Sequence, residues 1–205
     1  DESTQVALGT KLGIVKRVVA EWPNKSEFEV ISLKDGDEVV GVAHANDSDE
    51  LVFITSDAQL LRFAAVAVRP QGRAASGVAG INLSTDATVL FFGALSADGE
   101  SVVITAANNR LSIPGTDAGS AKRSVLAEFP AKGRATGGVR AQRFIRSEDQ
   151  LYFAWAGPAD FAAVGIDGKN IKLDGDLAKR DASGTPLTTP IKAVGTIGEA
   201  RSQAL

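Results

Sequence analysis

A glycine–arginine segment recurs along this chain, and a chain built on a recurring unit folds as a stack or ring of similar pieces rather than around one irregular core. The clearest copy is Lys132-Gly133-Arg134-Ala135-Thr136-Gly137-Gly138-Val139. An upstream copy reads Gln71-Gly72-Arg73-Ala74-Ala75-Ser76-Gly77-Val78, and Arg180-Asp181-Ala182-Ser183-Gly184-Thr185 is a worn third version. The shared core is Arg-x-Ala/Thr-x-Gly followed by a β-branched residue, in tracts without helical periodicity. Glycine beside a cation lets backbone and guanidinium come close to an anion, whereas one copy on its own reads equally as a turn with an incidental charge. The repetition points to a structural unit.

Each unit opens on a hairpin signature: an apolar run, a short Asp/Asn/Gly turn, then a second run. The signature occupies 10–17 (with Gly13 at the turn), 51–62, 102–111 and 163–172. After the hairpin come the glycine–arginine segment and another strand, at 78–83 and 139–144, with a counterpart expected at 28–33. An acidic turn and an apolar run then close the unit at 37–40, 86–92 and 149–155. The stretches 89–92 and 151–155 are apolar on both alternating faces, as strands buried between layers are. Units start near residues 6, 51, 101 and 163. The second strand of the third hairpin is expected at 110–113, and 118–128 holds at most a turn or two of helix. These readings predict one all-β domain over 1–205, propeller-like, of about four blades of short antiparallel strands.

Two units depart from the pattern. The first has Trp22-Pro23-Asn24-Lys25-Ser26-Glu27 where the glycine–arginine motif would fall. The last decays after Thr185, where Pro186 and Pro190 exclude a central strand. Residues 1–5 read as a polar leader and 193–205 as a closing edge strand or an unordered tail.

Net charge is −3, yet charge is unevenly placed. Six acidic residues and no Lys or Arg lie between Asp35 and Glu50, whereas 110–146 carries eight Lys/Arg against Asp117 and Glu128. Local potential, rather than net charge, decides where a polyanion docks. Cysteine and methionine are absent, which removes disulfides and thiolate chemistry, and a chain opening on Asp1 reads as part of a longer protein. No apolar run is long enough for a membrane helix. Catalytic signals are lacking. Tyr152, the single Tyr, lies in an apolar run and reads as core. His44 has no partner for a metal or a triad. Asp47-Ser48-Asp49-Glu50 starts like a calcium loop, but Leu51 takes the next ligand position and no glycine follows. No nucleotide-binding glycine loop follows a strand, so no cofactor is expected.

With the repeat laid out, the chain resembles the C-terminal domain of the A subunit of bacterial type II topoisomerases, the gyrase and topoisomerase IV class. The resemblance covers about 6–190. It rests on Thr10-x-x-Gly13-x-Val15-Lys16-Arg17, on Leu33-Lys34-Asp35-Gly36-Asp37-Glu38-Val39-Val40 and on the repeated Gly-Arg-Ala-x-x-Gly-Val. It implies a β-pinwheel that binds or bends duplex DNA around a basic rim and orients a segment for strand passage. By the same resemblance the domain is not an enzyme by itself but an accessory to an ATP-dependent topoisomerase. Its partners would be duplex DNA, the ATPase B subunit and the N-terminal cleavage domain of its own polypeptide, in the cytoplasm and associated with the nucleoid. The glutamine-arginine-arginine-glycine-glycine-lysine-glycine box of gyrase is absent, which favours a topoisomerase IV-like protein, and four units are visible where the family often has five or six. The expected phosphate contacts are Lys16, Arg17, Arg62 and Lys172 at hairpin ends, and Arg73, Lys132, Arg134, Arg140, Arg143, Lys179 and Arg180 in or beside the glycine segments. Such contacts position duplex without reading bases. The alternative reading is a propeller-type platform that binds another protein.

Overall fold

A computed structural model describes residues 5–19, 21, 23–173 and 175–197. In chain order its strands are β1 (Val6–Thr10), β2 (Ile14–Val18), β3 (Val39–His44), β4 (Asp49–Thr55), β5 (Gln59–Ala64), β6 (Val78–Ala79), β7 (Val89–Ser96) and β8 (Ser101–Asn108). There follow β9 (Ser120–Val125), β10 (Val139–Arg140), β11 (Gln150–Pro158), β12 (Phe161–Gly165), β13 (Asn170–Ile171), β14 (Thr185–Pro186) and β15 (Ile191–Thr196). Two single 3₁₀ turns, Ala65–Ala67 and Leu126–Glu128, are the only helical elements among the described residues. The strands form four antiparallel sheets in the orders β3-β1-β2-β6, β10-β5-β4-β7, β11-β8-β9-β14 and β13-β12-β15. They make the four blades that the repeat predicts.

The blades exchange strands. β6 follows the second hairpin in sequence but pairs with β2 of the first blade, Val15 opposite Val78. β10 likewise pairs with β5 (Leu60 opposite Val139), and β14 with β9 (Ala121 opposite Thr185). Each glycine–arginine segment thus leads its strand into the preceding blade instead of extending its own unit. Glycine makes the crossing possible: Gly77 and Gly138 have φ of 81° and 75°. A Cβ there would lie 2.7 Å from the Val15 carbonyl oxygen and 2.5 Å from that of Leu60, closer than any side chain tolerates.

Two expected strands are absent, each for a physical reason. Residues 28–33 are the counterpart of the exchanged segment, and no preceding blade is present among the described residues to pair with them. Residues 110–113 lie in a loop that leaves Leu111 88% exposed, and the strand that pairs with β8 is β9, within the 118–128 stretch whose only helical turn is Leu126–Glu128. That loop is braced by Asp117, which accepts from the Asn109 N–H (3.2 Å), the Ser112 hydroxyl (3.1 Å) and the Gly119 N–H (3.0 Å). These bonds, that from Asn109 first, hold its carboxyl below the usual range. β15 confirms an edge strand in the tail up to Thr196, and Pro186 sits on a two-residue edge strand. The leader residues 1–4, Trp22 and 198–205 lie outside the described residues.

Apolar burial is concentrated at the blade junctions. Phe53, Phe63 and Phe92 cluster between the first two blades, with Phe53 and Phe92 ring centroids 4.8 Å apart. Leu60, Phe129 and Leu151 join the second and third blades, and Ile104, Ile191, Trp155 and Phe161 the third and fourth. Tyr152 is half-buried at this last junction. Its hydroxyl donates to the Ala118 carbonyl and accepts the Ile191 N–H, both at 3.1 Å, as a core tyrosine requires.

A second tie crosses the first two of these junctions and recurs beside the third. The strand pairings make Arg17, Arg62 and Arg123 equivalent, one residue past Lys16, Leu61 and Lys122. Arg17 donates to the carbonyl of Val68 (3.2 Å), Arg62 to that of Phe129 (2.6 Å) and Arg123 to that of Gly175 (2.7 Å). Val68, Phe129 and Gly175 are themselves equivalent, each five residues before the arginine of a glycine–arginine segment. Arg17 is 1% exposed and also binds the Ala65 carbonyl and Asp47, while Arg62 pairs with Glu50 at 2.5 Å. Replacing Arg17 by Met leaves the carbonyls of Ala65 and Val68 buried without a donor, while exposed Asp47 turns to water, so Arg17→Met is expected to lower stability by about 2–4 kcal/mol. Lys172, at the same position of the fourth blade, is exposed, and Lys172→Met is expected to stay within about 0.5 kcal/mol of wild type. Chemical denaturation of the two variants checks both values.

Candidate functional site

The exchanged segments lie end to end along one edge of the blades. The other edge is formed by β3, β7, β11 and β15, which pack on one another in succession. One backbone contact is repeated three times between neighbouring segments. The Ser32 N–H donates to the Ala75 carbonyl (3.4 Å), Asn82 to Thr136 (3.0 Å) and Arg143 to Ala182 (3.0 Å). Residues 28–32, 73–82, 133–143 and 179–182 therefore form one continuous strip. Within it, 69–83 and 130–146 contain Arg69, Arg73, Lys132, Arg134, Arg140, Arg143 and Arg146, and no carboxylate.

Most of the expected phosphate contacts stand on this strip. Lys132, Arg140, Arg143 and Lys179 are exposed, and Arg73, Arg134 and Arg180 are partly so. Arg140 and Arg143 would face opposite ways in a regular strand, but β10 ends at Arg140 on the sheet edge, so both reach solvent. Arg134 is not a free loop cation: its Nη1 donates to the Ala79 carbonyl at 2.5 Å, leaving the other guanidinium donors outside. Lys132 Nζ reaches the Gly138 carbonyl at 3.1 Å. Arg73 lies over the Phe28 ring, 5.6 Å from its centroid, beside an open cavity of about 530 Å³ that Glu21 and Glu29 also line. Those two carboxylates make the Arg73 end of the strip less positive than the Lys132–Arg143 part.

The hairpin cations are placed differently. Lys16 and Arg17 are buried, with every Lys16 donor on a protein carbonyl: Val30 (2.8 Å), Arg73 (2.6 Å) and Ala75 (2.7 Å). Neither presents its charge to an external anion, which removes both from the expected contacts. Arg62 is half-buried, with its charge matched by Glu50. Their β2 and β5 positions face the incoming segment of the next unit, so these cations join blades. Lys172 remains exposed and lines a groove together with Lys122, Ala178 and Ser183.

Lys122 is a buried cation beneath the third segment that the sequence alone does not single out, because its apolar pattern places the strand at 110–113. It is 4% exposed and donates to the carbonyls of Lys179 (3.1 Å) and Arg180. The available signal was the Lys122-Arg123 pair, a copy of Lys16-Arg17. Carboxylates that suggested a cation loop are engaged otherwise: Asp47 with Arg17, Glu50 with Arg62, and Asp49 with the Asn46 N–H at 2.7 Å. Among the described residues no cluster of three metal-ligating side chains occurs, and no helix is long and apolar enough to cross a membrane.

Comparison with known proteins agrees with this architecture. The family described as DNA gyrase C-terminal domain, beta-propeller, matches residues 29–46, 49–96 and 115–144. The chain is 34% identical over 142 residues to the A subunit of DNA gyrase from Salmonella typhimurium, a match that covers 68% of this chain and 15% of that protein. The chain thus spans a small part of the curated relatives it matches. In fold it is similar to the C-terminal domain of DNA topoisomerase IV (TM-score 0.79, 21% identity, 95% of this chain and 62% of the other). It is similar also to the DNA gyrase A C-terminal domain (TM-score 0.75, 17% identity, 95% and 66%).

Burial pushes the Lys122 ammonium down from the ordinary 10.5 to about 8, against the pull of Asp181 and Glu128 and with a further push from Arg180. The folded state therefore holds fewer protons than the unfolded chain above about pH 8. Stability is expected to rise with pH from about 8 to 9.5, a contribution lost as pH falls through the folded-state value. Lys16 is lowered by burial too, so the rise shrinks in Lys122→Met rather than disappearing. Urea midpoints measured across that window test the sign.

Proposed function

Because the chain belongs to the family of DNA gyrase C-terminal β-propeller domains, we propose that it is a duplex-DNA-binding accessory module of the A subunit of a type II topoisomerase. The observation that carries this reading is the continuous strip of exchanged segments, whose Lys132–Arg143 part bears four cations and no carboxylate. Cations on a shared edge meet successive phosphates, and contacts of that kind hold and bend duplex without reading its bases. On this reading the domain captures or orients a DNA segment for strand passage carried out by the rest of the enzyme with its ATPase partner. The phosphate contacts are Arg73, Lys132, Arg134, Arg140, Arg143, Lys179 and Arg180, with Lys172 at the periphery. The acidic residues from Asp35 to Glu50 face away from the bound duplex.

About five to eight phosphate contacts give a log-affinity that falls with log salt at a slope of about −5 to −7. Lys132→Ala/Arg134→Ala is expected to weaken binding by about 2 kcal/mol and to reduce the slope by about two units, for every sequence alike. Lys11→Ala, whose ammonium pairs with Glu38 at 2.7 Å, should change neither appreciably. Fluorescence anisotropy with unrelated duplexes at several salt concentrations gives these values. Equal binding by the folded double variant, or salt-independent binding, contradicts the proposal and turns the assignment toward a protein-interaction platform.

A further inference from the structure

Lys16 and Lys122 occupy one repeat position, and in both the ammonium lies beneath a glycine–arginine segment. Lys16 gathers the carbonyls of Arg73 and Ala75 from the segment itself and that of Val30 from its neighbour. Lys122 gathers those of Lys179 and Arg180. An ammonium has three donors and no acceptor, so it dictates which way carbonyls turn. The second blade is a natural contrast. There the position holds Leu61, packed in the junction core, and the segment is held by surface groups instead. The Ala135 N–H donates to the Gly80 carbonyl (2.7 Å), and Arg134 gives one of its own donors to Ala79. Where a buried lysine is present, the arginine of the segment is not needed to hold the segment in place.

We propose that Lys16 and Lys122 are positioning residues for the strip: each fixes the carbonyl side of one arginine-bearing segment, so that Arg73 and Arg180 are available to a phosphate backbone. This deepens the DNA-binding reading above and rests on it. Neither ammonium touches DNA. Two facts make the role separable from plain stability. Burying an ammonium is costly, and an apolar side chain at this position is compatible with the fold, as Leu61 demonstrates. Burial also brings the Lys122 ammonium down to about 8; the charged groups that act on it are Asp181, Glu128 and Arg180, and on Lys16 Glu29.

The test uses the protein, Lys122→Met, Lys16→Met and Arg180→Ala, with a fluorescent duplex DNA at fixed salt from about pH 7 to pH 9 and amide exchange without DNA. Lys122→Met is expected to speed exchange over residues 179–184 and to bind duplex roughly three- to tenfold more weakly at neutral pH. Wild-type affinity falls as pH rises through about 8, and the fall shrinks in Lys122→Met, where only Lys16 remains to titrate. Arg180→Ala weakens binding but keeps wild-type exchange over 179–184, as expected of a contact rather than a support. If Lys122→Met does not fold, Lys16→Met carries the test. A folded Lys122→Met or Lys16→Met that binds like wild type overturns the positioning role and leaves the DNA-binding reading standing. Wild type that fails to bind duplex at low salt overturns both.

Discussion

The joint between blades depends on one guanidinium-to-carbonyl contact made three times, from Arg17 to Val68, Arg62 to Phe129 and Arg123 to Gly175. The first three blades each carry their arginine on the second hairpin strand, and each acceptor lies where the following unit turns back toward it. The exchanged strands themselves are two residues long, too short to hold a sheet edge by ladder hydrogen bonds alone. The arginine supplies the missing anchor. Its planar head carries several donors, so it binds carbonyls of the next unit and a carboxylate at once, which lysine could not do with the same geometry. Asp47 and Glu50 serve the first two, which accounts for part of the acidic stretch between Asp35 and Glu50.

Strand exchange has a consequence for the outer strip. Each segment belongs covalently to one unit, pairs with the blade before it, and gives an amide or a carbonyl to the next segment along. The cations it carries are consequently held relative to one another by backbone, not by flexible loops. Preorganised charges of this kind bind a regular polyanion without first ordering themselves, and that ordering is a main cost of association. The junction cores add apolar burial around Phe53, Phe129 and Trp155 and keep neighbouring blades from shifting.

The same repeat unit thus carries two kinds of cation. Inward ones, Lys16, Arg17, Lys122 and Arg123, hold the fold together, and outward ones such as Lys132, Arg140 and Arg143 are left for an external anion. The net charge of −3 gives no hint of this division. Among the carboxylates, Asp47 and Glu50 pair with inward cations, and Glu29 and Asp181 lie on the two end segments of the strip.

The sequence by itself determined the repeat, the all-β class and the strip motif, because glycine spacing and apolar alternation are local properties that survive in one dimension; the count of four sheets came from the tertiary structure. The sequence also showed Arg140 and Arg143 as a pair whose joint exposure requires an edge or a bulged strand, and β10 lies on an edge. Tertiary structure alone decided which blade each exchanged strand joins, since a two-residue strand carries no signal of its partner. It also decided the third hairpin: Leu111 and Ile113 look like a strand in sequence, but the pairing partner of β8 is the Ser120–Val125 segment, reached by a loop that Asp117 braces. The fate of the hairpin cations was settled in the same way. Arg17 and Lys172 are cations at one repeat position; one is buried and the other exposed because, among the described residues, only the first has a following unit packed against it, and burial depends on neighbours distant in the chain.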